Sequence, residues 1–500
     1  MTQKGILLLF CLILSHYLHA QTMQYSIKEF GAVGDGVTLC TNAINSAIEK
    51  CAENGGGRVV IPAGVFKSGT ILMKSNVELH FEMGSTLLAS TDYKDFPQQP
   101  QPEFRTHLDI EGWYALIYAE GISNIAITGF GTIDGNGALQ KGIPGISQRH
   151  SDEMYGRPRS ILFVSCKQVR VEGLKMISSG SWMHHYLDCE DVIVDRVEVY
   201  NQSNKNNDAI DIDGCRRFVL SNSIFDTDDD GITLKSSGAA ASEDVTITNC
   251  VVSSHCNAIK MGTGSTGGFR NISISNCIIK PSQSEKVIYG YHIGISGIAL
   301  EIVDGGVMEG VAISNIVIEG TNCPLFIRLG NRARKHTETA PEPPVGKIRN
   351  ITISNIVAYN TGNFSNSITG IPGHYVENVP IDNVQFFNKG GLNDGKYKAT
   401  HKDVPELEKR YPEASNWGNL PSSVLFLRHV KGLSINNLMF GSIQEDPRIP
   451  VIAVDVERFR LGKSIFSGTT LPPYYVLFEN VKEFDIEKPL GWGNTPLIKQ

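Results

Sequence analysis

The sequence predicts an all-β chain wound as a parallel β-helix, with a short capping helix at its N-terminal end, and three observations carry that prediction. Three segments between residues 206 and 262 repeat one line: Asp208-Ala-Ile-Asp-Ile-Asp213, Asp230-Gly-Ile-Thr-Leu-Lys235 and Asn257-Ala-Ile-Lys-Met-Gly262. In each, a polar turn residue is followed by apolar residues at every second place, the signature of a strand with one buried face. The segments start about 22 and 27 residues apart, the length of one solenoid circuit whose coils stack at roughly 4.8 Å. Shorter lines such as Asn124-Ile-Ala-Ile-Thr-Gly, Asp244-Val-Thr-Ile-Thr-Asn, Asn271-Ile-Ser-Ile-Ser-Asn and Asn350-Ile-Thr-Ile-Ser-Asn extend the pattern over most of the chain. Asparagine suits a turn repeated in every coil because it tolerates the left-handed conformation and bonds its own backbone.

In chain order, residues 1–20 hold one lysine, an apolar run at 6–14 and a small residue before Gln21, which reads as a secretory signal too short to span a bilayer. This predicts a secreted or periplasmic protein whose mature part, 21–500, is one solenoid domain. The segment Thr41–Glu53 places Ala43, Ile44, Ala47, Ile48 and Cys51 at helical spacing, and an amphipathic helix there covers an end coil that would otherwise pair with other chains. Gly55-Gly-Gly57 ends it and strands follow. Three stretches break the rhythm, 139–160, 327–347 with Arg328, Arg332 and Arg334, and 388–422. Long insertions in a solenoid gather on one face, often the binding face.

The 50 glycines and the low charged fraction of 19% belong to a β-solenoid. A net charge of −7 argues against nucleic acid or an anionic membrane as partner. Of the ten cysteines, Cys11 falls in the leader; the remaining nine are an odd number, and Cys189, Cys250 and Cys277 recur at matching places, so they read as a buried ladder of small hydrophobes. No CxxC pair or HExxH sequence indicates structural zinc.

The repeat stacks Asp208, Asp230 and Asn257 in one column, Asp211, Thr233 and Lys260 in the next outward column, and Asp213 and Lys235 beside it, with Asp229 next to the first. Carboxylates this close raise one another's pKa, a cost that points to function. Two chemistries use them. Glycoside hydrolysis needs one carboxylic acid to protonate the leaving oxygen and one carboxylate to activate water or attack the sugar. A calcium-dependent polysaccharide lyase needs several hard oxygens around one ion, which Lys235 and Lys260 oppose. A non-catalytic glycan-binding solenoid is a third reading.

Several motifs narrow the choice. Phe30-Gly-Ala-Val-Gly-Asp-Gly36, Gly131-Thr-Ile-Asp-Gly-Asn-Gly137, Ser179-Gly-Ser-Trp-Met-His-His185 and above all Asn206-Asn-Asp208 followed by Asp229-Asp230 resemble the family 28 glycoside hydrolases, the polygalacturonase-like group. The resemblance implies a right-handed parallel β-helix and an inverting mechanism without a metal or other cofactor. It implies Asp229 as general acid, with Asp208 and Asp230 holding the water. Lys260, Lys235, His185, Arg328 and His255 are the expected substrate-binding residues on a pectic poly- or oligosaccharide. Two departures stand out. His255-Cys256-Asn257 replaces the family's Gly-His-Gly, and Gly297-Ile-Ala299 stands near where the family's Arg-Ile-Lys grips a substrate carboxylate. Losing that grip predicts a rhamnogalacturonan-like substrate over plain polygalacturonate.

Overall fold

A computed structural model describes residues 23–100, 113–143, 156–392, 395–468 and 470–500. The leader at 1–20 and part of the 139–160 insertion lie outside them. Parallel pairing runs without interruption from Gln24–Ser26 to Ile498–Lys499, and the described residues form a right-handed parallel β-helix. Each middle coil has three strands, as in Ile210–Asp213, Arg216–Ser221 and Ile224–Thr227, and each strand pairs with its counterpart in the coils above and below, so three sheets wrap one core. From Phe269 onward the second and third strands fuse into long bent strands such as Phe269–Lys280 and Val307–Glu319.

The alternation reads directly onto the structure. Ile210, Ile212, Ile232, Leu234, Ile259, Met261, Ile298 and Leu300 all point inward and are buried, and burial of each such side chain contributes roughly 1.5–3 kcal/mol. The predicted turn asparagines adopt the left-handed conformation in every coil; Asn222, Asn249, Asn276, Asn315, Asn355 and Asn383 have φ between 53 and 57°. Their side chains bond from coil to coil, Asn355 Nδ2 donating to Asn315 Oδ1 at 2.9 Å and Asn383 Nδ2 to Asn355 Oδ1 at 2.7 Å. The helix Thr41–Glu53 forms as expected, turning Ile44, Ala47, Ile48 and Cys51 onto the first coils. All nine described cysteines are free and buried. The single ladder expected for them is two, because register puts Cys189 between Cys166 and Cys215 at one corner, and Cys250 above Cys277 at another.

The site is positioned by where the connections leave. Those joining the third sheet to the first, including 202–209, 228–231, 281–295 and 389–421, all emerge at one corner. The longest, 389–421, folds back across the first sheet. Its Val404, Ala414, Trp417 and Leu420 pack on Ala299, Phe326, Phe426 and Ile452, the outward side chains of four strands of that sheet. The 330–346 connection leaves from the opposite corner.

Candidate active site

The expected columns are present in register. Asp211 lies opposite Thr233 and Thr233 opposite Lys260, while Asp213 lies opposite Lys235. Asn206 makes the turn before Asp208 with φ 52°, and the neighbouring Asn207 accepts the Asp229 backbone N–H at 2.9 Å. The Asp229 carbonyl is held by the hydroxyls of Thr227 at 2.8 Å and Ser254 at 2.6 Å. Gly231 is required after the aspartate pair, since a Cβ there would stand 2.5 Å from the Ala258 carbonyl oxygen. A tight corner therefore presents Asp208, Asp229 and Asp230 together, with one oxygen of each within 4.8 Å of the others.

Their surroundings differ. Asp230 accepts from Lys260 Nζ at 2.8 Å, from Asn257 Nδ2 at 2.8 Å and from the Asn257 backbone at 3.2 Å. Burial opposes its ionisation, but Lys260, Lys235 and these bonds outweigh burial and hold its pKa below the usual range. Asp208 has Lys235 Nζ at 3.8 Å; burial, only partly offset by that ammonium, brings its pKa up to about 6. Asp229 has no cation so close. Burial, then the charges of Asp208 and Asp230, push it well above the carboxylate range. Asp229 is also the one of the three that is partly exposed to the cleft. Three neighbouring carboxyls with separated proton affinities are what acid–base chemistry requires.

The cations complete the site. Lys235 is also 3.1 Å from Asp211 and 4.8 Å from the centroid of the Trp182 ring, whose neighbourhood includes the Arg159 guanidinium at 4.3 Å. Lys260 donates a second bond to the Tyr411 hydroxyl at 3.0 Å, so the 389–421 insertion reaches the carboxylate corner. A pairing of Lys260 with Asp211, plausible from the columns alone, does not form: Lys260 takes Asp230 and Lys235 takes Asp211. As a metal-binding set the three aspartates offer hard oxygens, but two ammoniums already sit against Asp208 and Asp230, and their charge works against a divalent cation.

Two expected substrate-binding residues have other work. His255 is fully buried, with Nδ1 2.8 Å from Asp228 and Nε2 3.1 Å from the Ser284 carbonyl. Asp228 also accepts the backbone N–H groups of Ile288 and Tyr289 at 2.6 and 2.9 Å, so the pair anchors the 281–295 loop instead of facing the cleft. Arg328 is 2% exposed and donates to the Gly370 carbonyl at 2.8 Å and to the Glu406 carbonyl at 2.5 Å, with Trp417 stacked 5.1 Å away. It fastens the insertion to the sheet. His185 is buried in the wall beside Trp182, 3.6 Å from Asp213 and 2.8 Å from Arg159.

The structure places both sequence departures. Cys256 is buried in the apolar layer with Ala299, Phe326 and Trp417, where burial and then the nearby charges of Asp229 and Asp230 push its thiol up. Ala299 lies opposite Lys260 and is fully buried in the same layer. Glu301, two residues on, is completely buried; both its oxygens lack a partner among the described residues, and burial brings its pKa up to about 8. Tyr411 and Arg159 were missed from sequence because both belong to or adjoin insertions where the repeat gives no register.

The model of the family described as "Glycosyl hydrolases family 28" matches residues 51–406. The chain belongs to that family. Among relatives, a "Probable polygalacturonase" of Vitis vinifera is 24% identical over 378 residues, 72% of this chain and 73% of its own length. An "Exo-poly-alpha-D-galacturonosidase" of Dickeya chrysanthemi is 28% identical over 253 residues, 41% of each chain. The "Family 28 Exopolygalacturonase" of Yersinia enterocolitica shares the fold with a TM-score of 0.63 at 19% identity, over 94% of this chain and 79% of its own. A family 28 chain is a glycoside hydrolase. The matched span ends inside the 389–421 insertion, so Tyr411 and Trp417 fall beyond it. Among the described residues no helix is long and apolar enough to cross a membrane.

Proposed function

We propose that this family 28 hydrolase is an exported enzyme, its leader at 1–20 and its solenoid at 21–500, that cleaves α-glycosidic bonds of galacturonate-containing pectic chains by acid–base catalysis with inversion. Asp229, the partly exposed carboxyl that burial and the charges of Asp208 and Asp230 push well above the usual range, is the general acid. Asp208 and Asp230 hold the attacking water, and Lys260 keeps Asp230 ionised. The observation that carries this reading is the geometry of one cluster with oxygens within 4.8 Å, in which Lys260 pairs with Asp230 at 2.8 Å while Asp229 stands partly exposed beside it, a carboxylate held ionised next to one that burial favours protonated. The names of the plant and Dickeya relatives support a galacturonate-containing substrate.

On the leaving-group side the choice of sugar follows from charge. The strand beside Lys260 carries Ala299, buried under the 389–421 insertion, where a cation would be needed, and lacking a charge-assisted grip costs roughly 1.5–3 kcal/mol, ten- to over a hundred-fold in specificity. A neutral sugar such as rhamnose fits that side, and Lys235 serves a galacturonate carboxylate on the other. Because the insertion closes one end of the sheet, release of single terminal sugars is expected. Rates on polygalacturonate and on rhamnogalacturonan oligosaccharides at matched concentration, with products sized by chromatography, test this. Faster release of monosaccharide from the rhamnogalacturonan series supports it, and rapid internal cleavage of polygalacturonate overturns it.

A further inference from the structure

The 389–421 insertion is tied to the sheet by a cluster of ionisable groups at the corner opposite the aspartates. Its centre is His429, 8% exposed, on the strand Ser422–Ser442. Nδ1 lies 2.7 Å from Asp455 on the next coil, and Nε2 lies 3.3 Å from Glu406 of the insertion. The preceding residue, Arg428, donates from Nη1 to the same Glu406 oxygen at 3.1 Å. The other Glu406 oxygen is buried without a partner among the described residues, so Arg428 and His429 share the work of holding this carboxylate. Asp455 also accepts from the Tyr375 hydroxyl at 3.0 Å and the Asn480 amide at 2.8 Å.

An ionised carboxylate accepts hydrogen bonds and cannot donate them, and a neutral imidazole has a single N–H. Both ring nitrogens of His429 face carboxylate oxygens, so the arrangement requires the imidazolium. With that proton in place, Arg428 and His429 balance Glu406 and Asp455. Without it, one cation faces two carboxylates. The remaining N–H stays on Nδ1, where the contact is shorter, and the Nε2 lone pair then points at the Glu406 oxygen. We propose that Glu406, His429 and Asp455 form a proton-dependent tie, which fastens the insertion to the sheet when His429 is charged and loosens it around Glu406 when the proton leaves. The other charged groups nearby do not replace the proton. Arg328 is committed to the Gly370 and Glu406 carbonyls, Glu457 pairs with Lys431 at 2.8 Å, and Glu479 pairs with His401. Burial opposes charging the ring, but the bonds to Glu406 and Asp455, and then their charges, outweigh burial and hold its pKa above the ordinary 6.5. The stabilisation is therefore complete below 6.5 and is lost as pH rises through the raised value. Glu406 shortly precedes Tyr411, whose hydroxyl takes Lys260, so the loosened stretch adjoins the cover's contact with the carboxylate corner. The tie stands whatever sugar the aspartates cleave.

The test is hydrogen exchange of the full-length enzyme from about pH 5.5 to about pH 9, expressed as protection factors so that the intrinsic pH dependence of exchange is removed. Protection of the 401–411 amides should fall about tenfold or more as pH rises through the His429 titration, while that of the strand Ser422–Ser442 stays constant. His429→Asn suits the left-handed φ of 54° and keeps a donor for Asp455 but is too short to reach Glu406, so its protection should stay at the high-pH level throughout. Glu406→Gln supplies an amide that accepts from the charged ring and donates to the neutral one, so its protection should not vary with pH. Thermal midpoints establish that the variants fold. Wild-type protection that is constant with pH overturns the tie, and so does a fall that survives in His429→Asn, which would belong to another group. Should neither variant fold, the wild type still decides: a fall confined to 401–411 supports the tie, and one shared by the Ser422–Ser442 strand overturns it.

Discussion

The first sheet has two halves that share one backbone ladder and differ in what they turn outward. On the N-terminal side of Lys260 the outward positions are His185, Asp211, Thr233 and Lys260 itself, and on the C-terminal side Ala299, Phe326, Ser367, Phe426 and Ile452. The first set surrounds three carboxyls with cations. The second is dry and covered by Val404, Ala414, Trp417 and Leu420. A solenoid leaves every outward position free to vary, because the fold depends on the inward ones. Here that freedom divides one sheet into a reacting surface and the floor of a cover, and the boundary is the Lys260–Tyr411 bond.

The sharpest way to break the contrast is at the proposed acid. Asp229→Asn should lower kcat by about 10³-fold or more with the fold intact by circular dichroism, since leaving-group protonation is lost. Wild-type turnover would make the cluster structural. The covered half is tested by Trp417→Ala. Removing a ring packed 5.6 Å from Phe326 should cost about 3 kcal/mol, speed hydrogen exchange across 401–420 and let longer products appear. Unchanged exchange would mean that the cover is held by its polar anchors, Arg328 and Arg428, the latter donating to the Val404 and His401 carbonyls at 2.8 and 2.7 Å.

Asp208→Asn separates activity from stability. The folded pKa of Asp208, about 6, lies above the ordinary aspartate value of 3.8, so its favourable contribution to stability is full below that ordinary value and is lost as pH rises through 6. At pH 7 the ionised group therefore costs the native state stability, and Asp208→Asn should raise it by about 2–3 kcal/mol, a gain that shrinks towards zero near pH 4. If Asp208 holds the water as proposed, the same titration predicts that wild-type kcat/KM falls below about pH 6, where that carboxylate takes up a proton. A variant equally stable at both pH values would contradict the cost assigned to the buried charge.

How much of this was legible in the sequence follows the same division. Period-two alternation and the repeat length specified the coils, the capping helix and the columns through Asp211, Thr233 and Lys260, because strand register in a solenoid is a counting problem. The partners of the lysines were not legible, since long side chains reach diagonally between columns. His255 and Arg328 looked functional for their charge, and only the paths of the 281–295 and 389–421 connections reveal that they anchor loops. Tyr411 and the apolar underside around Trp417 lie in an insertion without periodicity, where sequence gives no place in space.

The central claim is that Asp208 and Asp230 hold water instead of attacking the sugar. Distance alone argues the other way: oxygens within 4.8 Å of one another are closer than the roughly 6.5–9.5 Å of most inverting pairs and nearer the roughly 5–5.5 Å of retaining ones. A carboxylate nucleophile and a base-held water both approach the sugar from the face opposite the leaving group, so the stereochemistry of the first product is what separates the two. Proton magnetic resonance of the anomeric signal in the first minutes of hydrolysis decides between them. Initial release of the β-anomer from an α-linked substrate is the predicted result; initial release of the α-anomer, or a glycosyl group trapped on Asp208 or Asp230, would contradict it.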